Sequence, residues 1–238
     1  MEKKHEEEIF HAWNHAGNLK RINGFYGRVV NAQDREIIKL IEGKRILDVG
    51  AGYGLLTKKL GSLGYEATGI EPDPEMVEFA RRYFSVELSG QGIYQTDFPD
   101  GYFDTVILRE VLPHLDLSRA LKEINRIGKG TVIIFDSALQ PLLRLARAAL
   151  GHREYNQRTL DYYVSQLEGN GYKICVLRYT DVVALVMSGG YIGPVLVPDM
   201  DWAEWMVLAA DGILNDLLKI AGLQRFFCWR FILKAKKI

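Results

Sequence analysis

The densest chemical signal in the chain is the run Asp48-Val49-Gly50-Ala51-Gly52-Tyr53-Gly54, set between a short apolar stretch and a helically spaced one. Glycines there let the backbone turn sharply and let a ligand approach main-chain N–H groups with no Cβ in the way, which points to a nucleotide-like ligand. Dinucleotide enzymes place G-x-G-x-x-G at the same point, but its third glycine position holds Leu55 here. Asp48, two residues before the first glycine, would repel a phosphate and suits a cationic ligand instead. Glu71 follows 21 residues after Gly50, where a carboxylate can accept hydrogen bonds from both hydroxyls of a ribose. Thr96-Asp97-Phe98 offers an acceptor beside an apolar ring. Taken alone, Asp97 ahead of Pro99 and Gly101 is an ordinary turn residue.

The elements that must hold these residues read as alternating strands and helices. Arg45 to Gly50 is a buried strand, Leu55 to Leu63 a helix, Glu66 to Glu71 a strand, and Pro74 to Phe84 a helix opened by proline at a tolerated first-turn position. Further strands are expected at Gly92 to Gln95, Phe103 to Leu108 and Gly130 to Asp136, with a helix from Leu117 to Ile127. This alternation predicts an α/β fold with a doubly wound, mostly parallel sheet. Ahead of it, Glu7 to Ile41 reads as a helical arm, broken near Asn23-Gly24 and restarted at Asn31. Behind it come an apolar helix (Leu139 to Leu150), a helix from Arg158 to Glu168 and a strand from Tyr172 to Met187. A Gly/Pro-rich turn, S-G-G-Y-I-G-P, an apolar helix around Trp202 to Leu218 and a last strand, Phe226 to Lys234, complete the chain.

Taken in order, the stretches I-L-D-V-G-A-G-Y-G, A-T-G-I-E-P-D-P-E-M-V-E-F-A-R, Q-T-D-F-P-D-G-Y-F-D-T-V-I-L-R-E-V-L-P-H-L and L-K-E-I-N-R-I-G-K-G-T-V-I-I-F-D cover Arg45 to Asp136. Here the chain resembles the class I S-adenosylmethionine (SAM)-dependent methyltransferases, in particular the ubiquinone/menaquinone-methyltransferase-like group of small-molecule enzymes. The resemblance implies a Rossmann-like, seven-stranded sheet whose last strand runs antiparallel, and SAM as cofactor. It places Asp48, Gly50, Ala51 and Gly52 along the methionine part, Glu71 and Pro72 at the ribose, and Met76, Asp97 and Phe98 at the adenine, with Arg109 beneath the sulfonium. His114, after the fourth strand, is the candidate base should the acceptor have to lose a proton, although a histidine at this point of the family often only supports the loop. Tyr26 and Tyr191 are candidate acceptor contacts. The resemblance divides the chain into an arm or lid at 1–43 and a SAM-binding domain at 44–238, with a lid insertion at 188–225.

Composition narrows the partners. Lys and Arg total 30, as do Asp and Glu, so no global positive field exists to draw nucleic acid. The Trp202–Leu218 stretch is interrupted by Asp211, Asn215 and Asp216 and does not read as a membrane span. The polar start M-E-K-K-H-E-E-E shows no secretory signal, and a cytoplasmic location is expected. Two cysteines, Cys175 and Cys228, are too few for a disulfide framework or a Cys-rich zinc site. They are expected as reduced, buried thiols, although a bridge between neighbouring strands is conceivable. No metal is called for, and a monomer or homodimer is expected. The sequence thus predicts a SAM-dependent methyltransferase acting on a small acceptor of hydrophobic character, its nucleophilic atom undefined. Two alternatives stand beside it: an RNA or protein methyltransferase on the same fold, and a SAM-binding module without turnover.

Overall fold

The computed structural model describes residues 15–137, 158–190 and 194–238, with side chains from 19 onward. The expected helix Leu139 to Leu150 and Tyr191 lie outside them. In chain order the elements are α1 (His15–Asn23), α2 (Phe25–Ile38), β1 (Arg45–Val49), α3 (Leu55–Ser62), β2 (Glu66–Ile70) and α4 (Pro74–Phe79), the last prolonged by a π-helical turn, Ala80–Phe84. Then follow β3 (Phe103–Arg109), a 3-10 turn (Leu112–His114), α5 (Leu117–Ile127), β4 (Gly128–Asp136), α6 (Leu160–Gly169) and β5 (Tyr172–Thr180). The chain ends with α7 (Ala184–Met187), α8 (Asp201–Ile220), α9 (Gln224–Phe227) and β6 (Arg230–Lys237). They group into two compact units, residues 1–35 with 181–222 and residues 36–180 with 223–238.

The second unit is the α/β body. Its sheet runs β2-β1-β3-β4-β6-β5. The pairs β1–β2, β1–β3 and β3–β4 are parallel, whereas β6 is antiparallel to both β4 and β5. Strand periodicity divides the core between two faces. Leu47, Val49, Val106 and Leu108 pack with Leu121, Ile124, Tyr163 and Leu167 on one side, and Ile46, Ile107, Ile133 and Phe135 with Ile37, Leu56 and Leu60 on the other. Because the first four strands are parallel, their C-terminal ends share one edge, and the strand order reverses there between β1 and β3. Open α/β sheets hold ligands at such a switch point.

The sheet has six named strands where seven were expected. The missing one is Gly92 to Gln95, which forms turns. Its place at the β2 edge is reduced to a single parallel bridge, Ile70 to Ser89. Gly90 and Gly92 make extended pairing entropically expensive, and Thr96 is held instead by Glu123, as described below.

Three smaller expectations also fail. Asn31 starts no helix, because α2 runs through it. The strand from Tyr172 stops at Thr180, since Asp181 adopts φ 61° and the following residues turn into α7. Phe226 and Phe227 belong to α9, so the last strand starts at Arg230. Both cysteines are free; Cys228 is buried, but Cys175, beside a register shift in β5, is exposed.

The first unit contains α1, most of α2, α7 and α8 around a small core of Phe25, Val29, Ala184, Val197 and Ala203. Much of its order is polar. Asp211 Oδ1 accepts the backbone N–H groups of Val182 (2.9 Å), Val183 (2.6 Å) and Ala184 (2.8 Å) at the start of α7. Gln33 Nε2 donates to Asp181 Oδ2 at 2.7 Å, and Arg21 Nη1 donates to Gly190 O at 3.0 Å. Arg28 pairs with Asp201, and its Nε lies 2.7 Å from Glu204 Oε2, off the hydrogen-bond direction. Among the described residues no helix is long and apolar enough to cross a membrane.

Candidate functional site

The glycine turn leaves β1 through two left-handed residues, Gly50 (φ 65°) and Gly52 (φ 54°). A Cβ on Gly50 would come within 2.4 Å of Val111 Cγ1, so the turn packs against the segment after β3. A Cβ on Gly52 would meet nothing within 4 Å, so the loop is open there. Ala51 N–H is tied to Ile70 O at 3.0 Å, which fastens the turn to the end of β2.

Glu71 is buried where β2 ends and is brought against this loop. Its Oε2 accepts Gly52 N–H at 2.9 Å, and its Oε1 accepts Asp73 N–H at 3.1 Å. Burial raises its pKa, against which the two amide hydrogen bonds act. An ionised carboxylate has about four lone-pair directions, so each oxygen keeps capacity for one further donor. That donor set fits the two hydroxyls of a ribose, and the open face at Gly52 leaves room beside it.

Asp48 behaves differently. Its position in β1 turns it toward the face covered by α3, where Oδ2 accepts the Thr57 hydroxyl at 2.7 Å. It is buried, and what it visibly does is hold the helix that follows the turn.

The adenine-side candidates sit on a separately braced loop. Asp97 is exposed, Met76 is buried in α4, and half-buried Phe98 stands edge-on to Phe103 at 4.9 Å. Pro72 is exposed next to Glu71. A hydrogen-bonded relay links the two regions. Glu71 N–H donates to Ser89 O (2.9 Å), Gln91 Nε2 donates to Ser89 Oγ (3.0 Å), and Asp97 N–H donates to Gln91 Oε1 (2.8 Å). Beneath it, Glu123 Oε1 accepts both Thr96 N–H (2.8 Å) and its hydroxyl (2.7 Å). Arg126 donates to Phe98 O (2.8 Å) and Thr96 O (3.0 Å) and pairs with Glu123 at 2.6 Å. That guanidinium lowers the Glu123 pKa to about 2. Ser89, Gln91, Glu123 and Arg126 were not singled out from the sequence. The only hint of the last two was a Glu–x–x–Arg pair at helical spacing.

After β3, Arg109 is half-buried with its guanidinium 5.8 Å from the Phe135 ring, and His114 is exposed at the end of its 3-10 turn. Between them Glu110 adopts φ 53°, rare for a residue with a side chain, and its Oε1 accepts from Arg230 Nε at 2.7 Å. Asp136, at the end of β4, was also missed. It is wholly buried and accepts Leu112 N–H (2.9 Å) and Ser137 N–H (2.7 Å). Burial, aided by the Glu110 charge, pushes its carboxyl up to about 7, against the two amides and Arg230. A carboxylate ending an otherwise apolar strand, T-V-I-I-F-D, was the available signal. Tyr26 is buried in the first unit. Among the described residues no cluster of three His, Cys, Asp or Glu could hold a metal.

Parallel strands, a glycine turn at the switch point and an acidic residue ending β2 define a Rossmann-like nucleoside-binding fold. The family described as "Methyltransferase domain" matches residues 47–135, which span β1 to β4, so this part of the chain is a class I SAM-dependent methyltransferase domain. SAM is the cofactor of such a domain. The ubiquinone biosynthesis O-methyltransferase of Methylocella silvestris is 32% identical over 129 residues, 52% of this chain and 50% of that protein. The protein of the same name from Xanthomonas campestris pv. campestris is 38% identical over 105 residues, 40% and 43% of the two chains. The chain thus spans about half the length of the curated relatives it matches. Among solved structures, a SAM dependent methyltransferase from Archaeoglobus fulgidus shares the fold with a TM-score of 0.62 at 18% identity, covering 88% of this chain and 94% of that one. Geranyl diphosphate C-methyltransferase from Streptomyces coelicolor follows at 0.61 and 15% identity, covering 89% and 82%.

Proposed function

We propose that the chain transfers the SAM methyl group to a small acceptor of hydrophobic character, with a ring hydroxyl of a quinone precursor as the first class to test. The observation that carries the cofactor half of this reading is the Glu71 carboxylate. It is anchored on Gly52 and Asp73 yet retains lone pairs toward the open side of the glycine turn. The acceptor half draws on the printed name of the partly matching relatives.

In this reading Glu71 and Pro72 hold the ribose, Met76, Asp97 and Phe98 hold the adenine, and Gly50, Ala51 and Gly52 give the methionine part a close backbone surface. Asp48 adds negative charge behind the turn while its contact with Thr57 fixes α3. Arg109 sets the segment after β3 by its place over Phe135. Bound SAM supplies an electrophilic methyl on a sulfonium, and the chain contributes alignment and exclusion of water. Where the acceptor is a hydroxyl, His114 takes its proton.

The test is thermal-shift binding with SAM, S-adenosylhomocysteine and NAD, followed by methyl-label transfer to phenolic quinone precursors. Stabilisation by the first two compounds but not by NAD is expected, with label on the acceptor. Stabilisation by NAD alone would sink the cofactor assignment, and binding without transfer to any acceptor would favour a SAM-binding module.

A further inference from the structure

Arg230 opens β6 and Glu110 follows β3, and these two strands flank β4 in the sheet. Phe231 pairs with Asp136 and Arg109 with Phe135, so Arg230 sits just beyond the end of β4 and its side chain reaches across that end to Glu110. Its Nε donates to Glu110 Oε1 at 2.7 Å, with the two side chains only 10% and 15% exposed. Glu110 is left-handed, a conformation that is costly for a residue with a Cβ and persists only where the surroundings impose it. The next residues show what the turn achieves. Glu110 N–H donates to Phe135 O at 2.8 Å, but Leu112 N–H meets Asp136 Oδ2 at 2.9 Å instead of a main-chain carbonyl. Val111, between them, is turned onto the glycine loop, its Cγ1 2.4 Å from where a Cβ on Gly50 would stand.

We propose that Arg230 is a positioning residue for the cofactor: through Glu110 it holds the segment after β3 in its left-handed turn and so seats Val111 against Gly50, fixing the surface that receives the methionine part of SAM. This rests on the reading that the glycine turn takes that part of the cofactor. Neither member of the pair has to touch the ligand. Glu110 Oε1 is committed to Arg230, and the pair acts through the backbone of the one residue it constrains. Gly50 admits Val111 so closely because it lacks a Cβ, so a shift of Val111 frees the turn to shift with it. A buried ion pair adds little stability, since taking both charges out of water offsets much of their attraction. Its use here is to select one backbone conformation next to the cofactor loop.

Two double variants of the full chain separate the pair from the conformation it imposes: Glu110→Ala/Arg230→Met and Glu110→Gly/Arg230→Met. Both lack the ion pair and neither leaves a buried charge alone, but alanine disfavours the left-handed region and glycine enters it freely. Calorimetric titration with S-adenosylhomocysteine should show the alanine variant weakened about five- to tenfold and the glycine variant about two- to threefold, since glycine permits the turn without enforcing it. 5′-Methylthioadenosine, which carries the nucleoside without the amino acid, should bind these variants and the wild type within about twofold of one another. Should the alanine variant not fold, Arg230→Lys carries the test, because lysine keeps the charge but has a methylene where arginine has Nε. It should lose about two- to threefold in S-adenosylhomocysteine affinity and nothing for 5′-methylthioadenosine. Unchanged S-adenosylhomocysteine affinity in the variant that carries the test would overturn the proposal. So would equal losses in the alanine and glycine variants, or 5′-methylthioadenosine weakened as much as S-adenosylhomocysteine. Wild-type protein that binds neither compound would overturn the cofactor placement, and the proposal with it.

Discussion

Glu71 and Asp211 perform the same local chemistry in different units: each is a buried carboxylate that accepts backbone N–H groups. Glu71 takes one amide on each oxygen, from Gly52 and Asp73, and stands beside a turn with open space at Gly52. Asp211 takes three amides on a single oxygen and caps the start of α7. The first carboxylate is anchored but unsaturated, as suits a ligand-binding group; the second is used to hold its own fold. Sequence treats them alike, since both are acidic residues amid apolar ones. What separates them is how many donors the surrounding backbone has aimed at each oxygen.

The largest effect expected from breaking this contrast is on stability at Asp211. Replacing it by alanine leaves three N–H groups without their acceptor, that of Ala184 buried and those of Val182 and Val183 partly buried, a buried one costing about 1–3 kcal/mol when unpaired. A loss of roughly 3–5 kcal/mol follows, read as a fall in Tm on the order of 10 °C. The affinity of the folded protein for S-adenosylhomocysteine should hardly change. A variant that melts normally but binds the nucleoside poorly would reverse the roles assigned to the two carboxylates.

Glu71→Ala should show the opposite pattern. Losing charge-assisted hydrogen bonds to a ribose weakens S-adenosylhomocysteine by roughly 10- to 100-fold in calorimetry. The fall in Tm should be smaller than that of Asp211→Ala. Glu71→Gln keeps an acceptor without the charge and should fall between the two. Unchanged binding in both variants would remove Glu71 from the ribose.

The contrast also marks what was legible in the sequence. Buried parallel strands read as near-continuous apolar runs bounded by glycine, so β1, β3 and β4 were found within two residues of their ends. Glu71 was singled out by its place at the end of the second strand, 21 residues after Gly50; that its carboxylate accepts the Gly52 N–H was not foreseen. Glu123 and Arg126 escaped because they brace one loop through contacts 26 to 30 residues distant, and Ser89 and Gln91 because their hydrogen bonds lie within irregular chain; neither leaves a local period. The strand expected at Gly92 failed for the same reason: tertiary hydrogen bonds to Glu123 outweighed a weak local preference.

Asp136 sharpens the comparison through pH. Its carboxyl is raised from 3.8 to about 7, mainly by burial, with Glu110, Arg230 and Tyr163 as the other titratable or charged groups around it. The folded state therefore keeps a proton between roughly pH 4 and 7 that the unfolded chain has lost. Stability from this group is greatest at the acid end of that window, declines as pH rises through 7, and is level above it. The span is on the order of a few kcal/mol. Melting curves from pH 5 to 8.5 should show this decline in the wild type and a flatter profile in Asp136→Asn, which cannot ionise. Equal slopes in both proteins would show that Asp136 is already charged throughout the range.

The smallest effect is expected at Arg126, which touches the loop of Asp97 and Phe98 without belonging to it. Its guanidinium donates to Thr96 O and Phe98 O and pairs with Glu123, which in turn accepts the Thr96 amide and hydroxyl. Arg126→Met retains much of the apolar stem and removes these donors, so the loop keeps Glu123 as an anchor but loses the clamp on two carbonyls. Because the side chain is partly exposed, water replaces much of what is lost. S-adenosylhomocysteine should bind roughly two- to fivefold more weakly, an effect of the size expected for a solvent-accessible charged contact. The discriminating measurement is the same titration with 5′-methylthioadenosine and with homocysteine as separate fragments. If Arg126 positions the adenine loop, the adenosine fragment alone should carry the loss. Equal weakening of both fragments would mean that the substitution disturbs the domain as a whole.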